Sequence, residues 1–175
     1  MSEQAGRYQR TFSGMIGAMV VLVVLVVAFV VLRNLNTSDP ENPAPPVDWK
    51  PALQFAREQA PFPVLAPQLL PPGWEVTSAD FEREGKPAWH LGMLTDDKRY
   101  MGLEQAKQPV ADMVSQYVDE EAKQGRDVGV DGLTWQSWSD PGGDHALTRR
   151  ADGVTTLVVG SVPADEVATF AASLQ

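Results

Sequence analysis

His90 and His145 are the only imidazoles in this chain, and it contains no cysteine. That pair limits the available chemistry. A zinc centre takes three or four ligands from His, Cys, Asp or Glu, so both histidines would have to converge with a carboxylate across separate strands, and no paired-histidine spacing supports this. His90 stands in an otherwise apolar, strand-like run and His145 beside a glycine turn, positions that suit structural or surface roles. The absence of thiols removes a cysteine nucleophile, disulfides and lipid-modified cysteine together. Ser139, Asp140 and His145 lie close in the stretch SDPGGDH. A nucleophilic serine is usually presented on a strained turn of the G-x-S-x-G type, which is missing, and Asp, Pro and Gly are better explained here as turn formers.

The carboxylates give no stronger signal. Asp119, Glu120 and Glu121 are expected on the exposed side of a helix and Asp96-Asp97 in a turn, whereas glycoside hydrolysis needs two carboxylates facing each other across a cleft. Asp140, Asp144 and Asp152 lack the glutamate-terminated loop of an EF-hand, and there is no Walker loop or G-x-G-x-x-G. No catalytic residue, metal ligand or cofactor is assigned. The aromatic residues carry the surface reading. Trp135 and Trp138 are three apart in one strand, so alternation puts them on opposite faces of a sheet, one in the core and the other exposed or covered by a helix. With Trp89 and Tyr100 they make up the expected interaction surface.

The elements that must position these residues follow a long apolar run. Residues 11–32 carry no charge and are bracketed by Arg10 and Arg33; at about 1.5 Å per residue they would span roughly 33 Å, enough for a hydrocarbon core. We read residues 11–33 as a transmembrane helix. A cleaved signal peptide would have a shorter apolar region and small residues at its end, which RNLNTSD lacks. Arg7 and Arg10 on one side against Arg33 on the other favour a cytoplasmic N-terminal tail, residues 1–10, and place the remainder outside. Ser13 and Gly17, and Gly14 and Ala18, are spaced four apart, a pattern common in membrane helices. Residues 34–47 hold Pro40, Pro43, Pro45 and Pro46 and read as an extended spacer.

Residues 48–175 then form one extracytoplasmic α+β domain. Of the 23 acidic residues only Glu3 precedes the apolar run, and three of the 14 basic ones lie at its edges, so the remainder carries 22 acids and 11 bases. Such a domain is repelled by nucleic acid phosphates, which excludes that class of partner, and an envelope or membrane protein is the partner expected. A short helix follows Asp48 and stops at Pro61; residues 61–73 are extended and proline-punctuated. Strands are read at 74–81, 88–94 and 100–105, then an amphipathic helix from Val110 to about Lys123, closed by Gly125. Strands at 133–139, 145–150 and 154–160 follow, and Pro163 opens a last helix. The expectation is an antiparallel sheet with packed helices, arranged as two strand-strand-strand-helix halves.

The anchor, the proline-rich spacer, Pro63-Val64-Leu65-Ala66-Pro67 leading to Leu70-Pro71-Pro72-Gly73-Trp74 with Thr77-Ser78, then Leu133-Thr134-Trp135 and the closing Ala172-Ser173-Leu174 form a set. This set resembles an actinobacterial family of single-pass membrane proteins with a C-terminal domain of unknown function. The resemblance implies location and fold kinship and assigns no catalytic residue.

Overall fold

The computed structural model describes residues 46–175, with Met19, Leu22 and Val26 from the N-terminal region. Those three residues have helical backbone and exposed side chains. The membrane helix expected over residues 11–33, the tail before it and most of the spacer otherwise lie outside the described residues. No helix among the described residues is long and apolar enough to cross a membrane. Residues from Ala44 to Gln175 form one compact unit.

That unit is an antiparallel sheet of seven strands with three helices. Helix α1 spans Lys50–Gln59 and is followed by strands β1 (Glu75–Glu82), β2 (Ala88–Leu94) and β3 (Tyr100–Ala106). Helix α2 (Val110–Tyr117) leads to β4 (Lys123–Val130), β5 (Leu133–Ser139), β6 (His145–Ala151) and β7 (Val154–Gly160), and α3 (Ala164–Ala172) closes the chain. The sheet order is β1-β2-β3-β7-β6-β5-β4, so two meanders join where β3 pairs with β7.

Two expectations are corrected. The second helix ends at Tyr117 rather than near Lys123, and residues 123–130 form a strand, so the second half has four strands before its helix. The reason is local. The Asp119 carboxylate accepts from the Glu121 N–H at 2.6 Å and the Ala122 N–H donates to the Asp119 carbonyl, a turn that competes with helix continuation. Asp119-Glu120-Glu121 is therefore a turn, not a helix face. Strand β4 is then set by the turn at Asp131 and Gly132, whose φ values of 49° and 75° match the two-residue hairpin type that Asp-Gly favours.

Alternation sorts the strands into two faces. Phe81, Trp89, Leu91, Met93, Met101, Leu103, Leu147 and Val158 share one face and pack beneath α1, α3 and the extended run 62–67. There Trp74 stacks on Phe170, ring centroids 5.7 Å apart. The extended run is fastened by polar groups: the Trp89 indole donates to the Leu65 carbonyl at 3.1 Å, and the Leu65 N–H donates to the buried Gln105 Oε1 at 2.7 Å. Ala66 and Gln175 exchange both backbone hydrogen bonds. On the other face α2 covers β6 and β7, where Met113 and Val114 meet Leu157 and Val159. Leu91, with no exposed surface, sits at the centre of the first core. Leu91→Ala is expected to lower unfolding free energy by about 2–5 kcal/mol, read by chemical denaturation of the purified chain.

Candidate functional site

The residues expected at an interaction surface are dispersed. Trp89 is fully buried and Trp135 nearly so, both on the face beneath α1 and α3, and neither offers surface to a partner. Alternation puts them there, as it puts Trp138 on the opposite face, half-buried beside α2 with its indole donating to Thr148 Oγ1 at 2.8 Å. Tyr100 alone is exposed. Ser139 and His145 face each other across the β5–β6 ladder, but the Asp140 carboxylate accepts from the Asp144 N–H, and no hydrogen bond joins Ser139, Asp140 and His145 into a relay.

A different set of polar side chains converges on the face that α2 leaves open. The β2–β3 hairpin reflects the sequence about Asp97 and puts His90 opposite Glu104; the β1–β2 hairpin puts His90 opposite Asp80 and Gly92 opposite Ser78. His90 Nδ1 lies 2.5 Å from Glu104 Oε1, and its Nε2 lies 2.7 Å from Ser78 Oγ. Three adjacent strands thus carry a hydroxyl, an imidazole and a carboxylate in line. The Glu104 side chain is 3 % exposed and that of His90 34 %. With the carboxylate accepting from Nδ1–H, Nε2 accepts the Ser78 hydroxyl proton when the ring is neutral and donates to Ser78 Oγ when it is charged.

The backbone makes room for this line. A register shift between Val76 and Ser78 marks a bulge in β1, where the Thr77 hydroxyl donates to the Gly92 carbonyl. A Cβ at Gly92 would strike Ser78 Oγ, and one at Gly102 would strike the Tyr100 hydroxyl, so both glycines keep the face low. Burial and then the Glu104 charge push the Tyr100 hydroxyl up to about 12; Tyr117, reaching in from α2, is raised for the same reasons.

A family model of proteins of unknown function, DUF4245, matches residues 7–174. The chain belongs to this family. No curated protein matches it. The family description names no activity, so the site in this DUF4245 chain is read from geometry alone. Ser78 sits in mid-strand beside a bulge rather than on a strand-to-helix elbow. Its line with His90 and Glu104 is able to hold or pass a proton, and a charged His90 is able to present a donor to a bound anion or carbonyl.

The hydrogen bond to Glu104 raises the His90 pKa above its usual value near 6.5 against the opposing effect of burial, and burial raises that of Glu104 against the pull of His90. Both directions mean that the folded state holds protons more tightly than the unfolded one. The stability His90 contributes is fully present below 6.5 and is lost as pH rises through its folded pKa. The His90 ring resonance, followed by NMR across pH 5–9, is expected to titrate above 6.5 in the native chain and to move to a lower midpoint in Glu104→Gln.

Proposed function

We propose that this protein is a single-pass, membrane-anchored extracytoplasmic module that binds a ligand or an envelope protein through the open face of β1, β2 and β3. One observation carries the binding site: Glu104 is buried beside a partly exposed His90, next to the strands β6 and β7 that α2 covers. Withdrawing a carboxylate from water costs several kcal/mol, and an apolar side chain at that strand position would avoid the cost. A charged pair retained there is best explained by use of the imidazole at the surface. What supports the anchor is the uncharged run 11–32 between Arg10 and Arg33, with exposed apolar side chains at Met19, Leu22 and Val26. The excess of arginines ahead of that run supports a cytoplasmic N-terminus, and the actinobacterial likeness belongs to the same reading.

A photo-reactive phenylalanine replacing Tyr100, activated in intact cells, is expected to give a discrete adduct in the carbonate-washed membrane fraction. The same probe at Glu58, on α1, is expected to give none. Absence of the chain from that fraction would overturn the anchor, and equal adducts from both positions, or none from 100, would overturn the binding face.

The 2.7 Å approach of Ser78 Oγ to His90 Nε2 favours a second reading, an envelope hydrolase in which His90 takes the Ser78 proton and Glu104 orients the ring. This reading requires a fluorophosphonate probe to label the native chain above neutral pH and to leave Ser78→Ala unlabelled. No labelling of the folded native chain excludes it.

A further inference from the structure

The ladder between β5 and β6 stops early. Its pairs run from Gln136 and Thr148 to Ser139 and His145, although β5 begins at Leu133 and β6 continues to Ala151. Leu133, Thr134 and Trp135 remain paired to β4, and Arg149, Arg150 and Ala151 to β7. The sheet therefore opens as a seam between two strand edges. Alternate residues of an antiparallel strand turn their N–H and C=O groups toward each neighbour, so both lips of the seam present main-chain donors and acceptors.

The seam holds a cavity of about 370 Å³ whose walls include Thr134 and Gln136 from one lip, Thr148, Arg149 and Arg150 from the other, and Asp127. Arg149 is half-buried, and its side chain makes no hydrogen bond or ion pair among the described residues. Arg150 spends one N–H on the Gln108 carbonyl at 2.8 Å and keeps the others. On the β5 lip, the buried Trp135 indole N–H has no acceptor. Arg149 and Arg150 are consecutive in β6 and flank the seam from opposite faces of the sheet.

We propose that this seam binds an extended acidic peptide segment, which pairs through its main chain with the free edge at Arg149–Ala151 and sets the carboxylates of successive residues against Arg149 on one face of the sheet and Arg150 on the other. Facing strand edges call for main-chain groups as ligand, as in strand addition at an exposed edge. The guanidiniums select negative side chains, which bind them in bidentate fashion. A small inorganic anion would satisfy the arginines and leave the lips unpaired. The seam between β5 and β6 is separated from His90 on β2 by β3 and β7, so the two readings stand or fall independently.

The test uses the full chain in detergent micelles and a fluorescein-labelled, end-capped hexapeptide of glutamate, whose extended form carries carboxylates on both faces, followed by anisotropy. The expected result is saturable binding that weakens with added salt, falls about tenfold or more in the Arg149→Gln, Arg150→Gln double variant, and persists in His90→Gln. The same peptide with lysine in place of glutamate, or with N-methylated amides, is expected not to bind. These peptide controls also carry the test should the double variant fail to fold. No binding of the glutamate peptide, equal binding of the N-methylated form, unchanged affinity in a folded double variant, or loss in His90→Gln would each overturn the proposal.

Discussion

The domain depends on one non-local pairing, the antiparallel ladder between β3 and β7, in which Met101–Ala106 meet Thr155–Gly160. Each meander forms from neighbours in sequence, but neither alone encloses a core. Joining them at β3 and β7 puts β7 in the middle of the sheet, where all seven of its residues are buried. The closure entropy of bringing such distant segments together precedes the reward of burial, which makes this pairing the slow and decisive event expected of the topology.

Strand β3 also separates the two faces of the sheet, because its successive residues face opposite ways. Leu103 fixes the packed core, while Glu104, one residue on, belongs to the open face. The packed face is closed by apolar contact and by polar clasps on Leu65, so the proline-punctuated run that looks unstructured in sequence is as firmly held as a strand. The open face is organised by hydrogen bonds instead. Ser78, His90 and Glu104 take their spacing from two hairpin registers, so their alignment is a consequence of turn geometry at residues 83–87 and 95–99 rather than of any local sequence motif.

That explains what could and could not be read beforehand. Apolar periodicity located six strands and three helices, because each buries one side, and it placed Trp135 and Trp138 on opposite faces. It missed β4, whose residues KQGRDVGV are exposed at all but Val128 and Val130 and carry no apolar alternation over most of their length. The turn Asp131-Gly132 was the available signal, since Asp-Gly between two runs marks a hairpin. Ser78 and Glu104 were missed because neither is near His90 in sequence. Reflecting β3 onto β2 about Asp97 would have paired Glu104 with His90; the bulge in β1 hides the matching relation for Ser78. Trp89 was misplaced as surface because its indole has a partner in the run 62–67, which periodicity does not position.

The two outer strands have a further consequence. β1 is interrupted by its bulge, and its Val76 carbonyl is occupied by the Val47 N–H, while β4 is bent by an irregularity between Gln124 and Asp127 and carries Lys123 and Arg126. Bulges and charged side chains on edge strands discourage one molecule from extending the sheet of another. Both margins of the sheet are thus shaped against the edge-to-edge pairing of one copy with the next, even where copies are held close together.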